Sequence, residues 1–92
     1  MKKIKKSEFE TARDMIEMTP GRMLKTIREL QELSQNDLAK LTGIAQANIS
    51  RMENDQQQIG RERAIVLARA LKVHPAVILF PSEKEYEYSE AM

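Results

Sequence analysis

Apolar residues in this chain recur at intervals of three and four rather than two, and the segments they mark are short and separately capped. Ser7-Glu8-Phe9-Glu10 fits the S-x-x-E capping box and predicts a first helix over residues 8–18. Phe9, Ala12 and Ile16 fall on one face of it, with Met15 beside them, so the segment is expected to dock on something apolar. Thr19-Pro20-Gly21 ends that helix and begins the next, because threonine is a good N-cap and proline is tolerated at the first helical position. The second helix carries Met23, Leu24, Ile27 and Leu30 along one stripe and turns Arg22, Lys25 and Glu29 to water.

Ser34 is the next N-cap, with Asp37 near the positive helix end. Leu38, Ala39 and Leu41 are expected to form the apolar side of a short helix that Gly43 stops, a left-handed residue being the usual sharp exit. Ile44 plugs the turn. A further helix is predicted over residues 46–53 with Ile49 and Met52 inward, then a polar loop over 54–58. Residues 61–71 make the next helix, with Ala64, Leu67, Ala68 and Leu71 at core spacing. Val73-His74-Pro75 breaks it and starts a last short helix through Leu79, which Phe80-Pro81 closes. No segment alternates long enough to be a strand, so the class is all-α.

Composition narrows the chemistry. Ninety-two residues describe one domain, and the absence of cysteine excludes a disulfide scaffold or a thiolate metal site. The single histidine, His74, precedes a proline at a helix start, where N-capping or turn polarity accounts for it. Asp14, Asp37 and Asp55 have no partner spacing for acid–base work, so no enzyme, metal or cofactor is expected. No apolar run approaches the roughly 20 residues of a membrane span, and the N-terminus lacks an apolar signal segment, which makes a cytoplasmic location the expectation.

Net charge is +1, which looks too low for a nucleic-acid binder until it is resolved along the chain. Four Glu against one Lys put −3 on residues 83–92, leaving +4 on residues 1–82, with Lys2, Lys3, Lys5 and Lys6 crowded at the start. The chain therefore divides into a basic arm and extra N-terminal helix over 1–18, a folded domain over 19–81, and an acidic tail over 82–92 with little to bury. The arm is suited to following a phosphate backbone or minor groove.

Residues 35–54 read as helix, three-residue turn, helix. Ala39 is small where two helices would cross closely, Gly43 supplies the turn's backbone angle, and Leu38, Ile44, Ile49 and Met52 supply the apolar wedge that sets the interhelical angle. With Ile49 and Met52 inward, the outer side presents Gln46, Ala47, Asn48 and Arg51. Gln and Asn can pair bidentately with adenine, Arg with guanine, and Ala can touch a thymine methyl, each good bidentate contact giving about 1–3 kcal/mol of discrimination. Gln35 opens the preceding helix, where outward backbone N–H groups can hold a phosphate.

In this register the sequence resembles the Cro and phage-repressor (XRE) family over residues 23–80. The resemblance is carried by Ile27-Arg28-Glu29-Leu30, Leu33-Ser34-Gln35-Asn36-Asp37-Leu38-Ala39, Gly43-Ile44, Ile49-Ser50-Arg51-Met52-Glu53-Asn54 and Leu67-Ala68-Arg69-Ala70-Leu71-Lys72-Val73. It implies a compact five-helix, repressor-like helix-turn-helix domain, usually dimeric, that reads a palindromic operator in double-stranded DNA with the helix beginning near Gln46. The helix over 8–18 and the acidic tail lie outside that pattern. It further implies that Gln35 contacts the DNA backbone and braces Gln46, that Ser50, Asn54 and Gln56 add backbone contacts, and that Arg28 and Glu53 form an ion pair positioning the recognition helix. Two departures stand out. Many members carry Gly where this chain has Glu32, so the turn there is either differently shaped or strained by about 1 kcal/mol. The loop after Glu53 is rich in glutamine where many relatives carry Lys or Arg.

Val66 falls off the core stripe of its helix, and Val77, Ile78 and Phe80 are more apolar than a short terminal helix needs. They mark either a homodimer interface, placing two recognition helices about 34–36 Å apart, or a slightly larger core. The functional expectation is a sequence-specific transcriptional regulator, a repressor acting by occlusion. An alternative is the antitoxin of a toxin–antitoxin pair, which neutralises a small basic toxin and represses its own operon. The charge distribution makes a forecast: deleting residues 83–92 strengthens non-specific DNA binding in a salt titration, whereas unchanged or weaker binding assigns the tail to the fold or to a protein partner.

Overall fold

A computed structural model describes residues 18–81. The described chain is all-helical: α1 Pro20–Leu30, α2 Gln35–Thr42, α3 Gln46–Glu53, α4 Arg61–Leu71 and α5 Pro75–Leu79. The helix expected over residues 8–18 lies outside the described residues except for Met18, which is buried in the core. The acidic tail also lies outside them.

Local chemistry sets most of the boundaries. Thr19 caps α1 by accepting from the Arg22 backbone N–H at 3.1 Å, with Pro20 in the first turn. Ser34 and Asp37 form a reciprocal capping box at α2: the Asp37 N–H donates to Ser34 Oγ and the Ser34 N–H to Asp37 Oδ2, each at 2.9 Å. The hydrogen bonds that the carboxyl accepts from Ser34, the backbone N–H first and the hydroxyl second, hold Asp37 below the ordinary carboxylate range. Gly43 leaves α2 at φ 77, and a Cβ there would meet nothing within 4 Å, so glycine answers a conformational need rather than a steric one. Thr42 completes the turn, its hydroxyl donating to the Leu38 carbonyl at 2.8 Å and accepting from the Ile44 N–H at 3.1 Å. His74 caps α5, Nδ1 accepting from the Ala76 N–H at 3.0 Å.

The core gathers Met23, Leu24 and Ile27 of α1, Leu38 of α2, Ile49 and Met52 of α3, Leu67 and Leu71 of α4, and Ile78 of α5, all fully buried. Two expectations need correction. Leu41 is 56% exposed. The buried stripe of α2 runs through positions 35, 38, 39 and 42, and at 100° per residue Leu41 sits roughly 110° from its centre. Ile78 cannot serve an intermolecular surface because it is fully buried, α5 packing on α1 and α4 with Ile78 inward. Val66 and Phe80 do stay exposed, and Val77 is half-buried.

The turn after α1 adopts the strained alternative. Glu32 has φ 61, a left-handed conformation costing a non-glycine residue roughly 1–2 kcal/mol. It lets the Leu33 N–H return to the Arg28 carbonyl at 3.1 Å and close the helix end.

A second close approach has no counterpart in the sequence reading. Gly21 lies so near the exit of α3 that a Cβ would come within 2.1 Å of the Met52 carbonyl oxygen and 2.5 Å of Asp55 Oδ1. Thr19 Oγ1 donates to Asp55 Oδ2 at 2.7 Å beside it, and Asp55 itself turns at φ 58. The start of α1 and the end of α3 are thus in contact through backbone. Gly21→Ala is expected to lower stability by about 1–3 kcal/mol in urea unfolding, since the obstructing atom is a carbonyl. Gly60→Ser is the contrasting case: nothing lies within 4 Å of that Cβ, and serine is the better N-cap for α4, so stability is unchanged or higher.

Candidate nucleic-acid interface

The α2–turn–α3 unit is mounted on a chain of polar contacts that begins inside the protein. Arg28 of α1 meets Glu53 of α3 through a two-pronged contact, Nε to Oε2 at 2.7 Å and Nη2 to Oε1 at 2.9 Å. Both side chains are withdrawn from water, at 8% and 1% exposure. The Glu53 hydrogen bonds raise Arg28 above the ordinary arginine value against the opposing effect of burial, so the guanidinium stays charged. Its remaining prong, Nη1, donates to the Leu33 carbonyl at 2.7 Å, next to the strained Glu32.

From Glu53 the chain of contacts runs outward. Gln35, the first residue of α2, donates from Nε2 to Glu53 Oε1 at 3.0 Å, and its Oε1 accepts from Gln46 Nε2 at 2.7 Å. The direction is forced. A carboxylate only accepts, so Gln35 must present its NH2 to Glu53 and its carbonyl to Gln46, which must answer with its own NH2. Gln46 is left with its carbonyl and a second N–H free at the protein surface. One acceptor and one donor side by side match the N6–H and N7 edge of adenine.

On the outer side of α3, Gln46, Ala47 and Arg51 are exposed and Asn48 is half-buried. Arg51 Nη1 donates to Asn48 Oδ1 at 2.8 Å. Among the positions expected to touch the DNA backbone, Gln35 is half-buried and committed to the relay, while Gln56 is exposed. Asn54 folds its Nδ2 back to the Ser50 carbonyl at 2.9 Å, closing the C-terminal end of α3. Ser50 is half-buried. The structure therefore brings Arg28, Glu53, Gln35 and Gln46 into one network, and Asn48 with Arg51 into a separate pair.

Three contributors lie outside the residues singled out from sequence. Gly21 and Asp55 fix the far end of α3, as described. Gln31 is nearly buried and donates from Nε2 to the Leu71 carbonyl at 2.5 Å, satisfying one of the open carbonyls at the end of α4. Its position four residues beyond Ile27, on the apolar stripe of α1, was a usable signal: a polar residue there needs a partner. For Gly21 and Asp55 no local signal exists.

Two helices set at an angle by a three-residue turn, the second exposing a polar face and rooted in a buried ion pair, define a helix-turn-helix. Residues 24–78 match the helix-turn-helix family, and the chain belongs to it, in its Cro- and phage-repressor-like (XRE) form. The chain is also similar to the HTH-type transcriptional repressor RghR of Bacillus subtilis (strain 168), with 33% identity over 72 residues. That stretch covers 77% of this chain and 53% of RghR, so the chain spans about half the length of the curated relative it matches. No solved structure matches the chain. Among the described residues no group of His, Asp or Glu is arranged to hold a metal ion, and no helix is long and apolar enough to cross a membrane.

Breaking the ion pair from one side strands a buried charge. Arg28→Ala and Glu53→Ala are each expected to cost about 3–5 kcal/mol in stability. The double variant should be less destabilised than the sum of the two, and a double-mutant cycle with no measurable coupling would contradict the pairing.

Proposed function

We propose that this protein is a sequence-specific DNA-binding transcriptional regulator that lays α3 in the major groove and acts as a repressor by occluding its site. The observation that carries this reading is the fixed amide direction at Gln46, set by Glu53 through Gln35. A solvated surface glutamine has no need of a buried carboxylate to orient it, whereas a base-reading glutamine gains from arriving with its carbonyl already outward. Membership of the helix-turn-helix family and similarity to a protein named as a transcriptional repressor support the same reading.

In this scheme Gln46, Ala47, Asn48 and Arg51 face base edges. Gln35, Ser50, Asn54 and Gln56 lie along the sugar-phosphate backbone, Gln35 and Asn54 through the donors that their internal bonds leave over. Phosphate contacts would hold the register while base contacts supply the sequence preference. The protein acts as a homodimer on a palindromic operator, and the exposed Val66 and Phe80 with half-buried Val77 are the surface we assign to pairing.

Selection of bound sequences from a random DNA pool tests the proposal, together with affinity measured across salt. The expected result is a palindrome with half-sites about 34–36 Å apart and a steep loss of affinity with salt. Arg51→Ala should relax preference at a single half-site position, and Lys5→Ala should weaken all sequences alike. If both variants weaken every sequence equally, α3 does not read bases.

A further inference from the structure

The base-reading face of α3 contains one internal hydrogen bond, and it changes which atoms are available to DNA. Asn48 and Arg51 lie three residues apart and so are neighbours on the helix surface. Arg51 Nη1 donates to Asn48 Oδ1 at 2.8 Å. Taken alone, an asparagine offers a carbonyl and an NH2 and can pair with adenine as glutamine does. With its carbonyl engaged by the guanidinium, Asn48 turns only Nδ2 outward. The opposite amide orientation would set NH2 against a cation, donor against donor. Arg51 has no acceptor at all and keeps its other N–H groups free. The pair consequently shows DNA a surface of donors, unlike the mixed donor and acceptor of Gln46 two residues earlier.

We infer that Asn48 is a positioning residue rather than an independent adenine reader. It restrains the long Arg51 side chain so that the two act as one unit selecting guanine, whose major-groove edge carries the N7 and O6 acceptors. The inference rests on the proposed DNA-reading function and refines it. Arginine loses considerable rotamer freedom when fixed against a base, and a bond already made in the free protein removes part of that cost. Asn48 is the less mobile member, being half-buried and shorter where Arg51 is long and exposed. The recognition helix then carries two units of different polarity. Gln46 is aimed from the protein interior through Gln35, and Arg51 is aimed from the helix surface by Asn48.

The test is selection from a random DNA pool with the full chain and its Arg51→Ala, Asn48→Ala and Asn48→Asp variants, each checked for cooperative thermal unfolding. Wild type should prefer guanine at one half-site position, and Arg51→Ala should abolish that preference. Asn48→Ala should reduce preference at the same position by about five- to tenfold, in the range of one lost orienting contact, with other positions unchanged. Asn48→Asp retains an oxygen that accepts from Nη1 and should preserve the guanine preference, even if the added negative charge weakens binding to every sequence. The inference is overturned if Asn48→Ala relaxes a different position where adenine is preferred, if neither Asn48 variant alters the guanine position, or if the aspartate fails to rescue it. Failure of wild type to enrich any sequence would instead overturn the DNA-reading function itself.

Discussion

Glu53 puts a carboxylate where water does not reach, and a charge in that position must be matched or the domain loses several kcal/mol. Arg28 supplies the match, but the geometry it demands reaches well beyond the pair. The guanidinium is planar and its prongs are fixed relative to one another, so the contact with both Glu53 oxygens also decides where the third prong points. That prong needs the Leu33 carbonyl, and the carbonyl is where it is because the chain leaves α1 through a left-handed Glu32. The strain at Glu32 and the ion pair therefore belong together. Each is unfavourable or marginal alone, and the α1–α3 geometry is the arrangement in which both are accommodated.

The same carboxylate has a second lone pair to fill, and Gln35 fills it. Amides in series transmit direction because each has one donor end and one acceptor end. A buried ion pair is weak evidence for stability, since well-packed apolar residues often do as well. What apolar residues could not do is orient a surface amide. Retention of charge inside a domain with so little interior is intelligible on that basis, and it connects the packing of α1 to the outward face of α3 without any moving part.

Much of this architecture was legible along the chain, because its helices are bounded by local chemistry: Thr19 with Pro20, Ser34 with Asp37, Gly43, and His74 with Pro75. Stripes of Leu, Ile, Met and Ala at helical spacing identified most of the core, apart from Met18, Ile59 and Ile78. The failures are of one kind. Leu41 and Ile78 are both apolar on short helices, and which side of a short helix is covered depends on how its neighbours cross it, a fact that its own few residues do not encode. Gly21 reads locally as a turn glycine, yet its constraint comes from Met52 and Asp55, over thirty positions away. The family pattern drew attention to Arg28, Glu53, Gln35 and Gln46. It gave no hint of the bond between Asn48 and Arg51, because a spacing of three makes two side chains neighbours without saying whether their rotamers meet.

Glu32, Asp55 and Lys72 each take a left-handed backbone conformation without being glycine. The cost is roughly 1–2 kcal/mol apiece, less for aspartate, and only the hydrogen bonds that close the chain around these exits offset it. Set against the few kcal/mol by which so small a domain outweighs its unfolded ensemble, this is a sizeable share. The fold is thus held below the stability its own topology permits. A protein so placed keeps a larger fraction of its molecules open to proteolysis at any moment. Glycine at such an exit would relieve the strain, so resistance to proteolysis can be adjusted there by a single substitution outside the core.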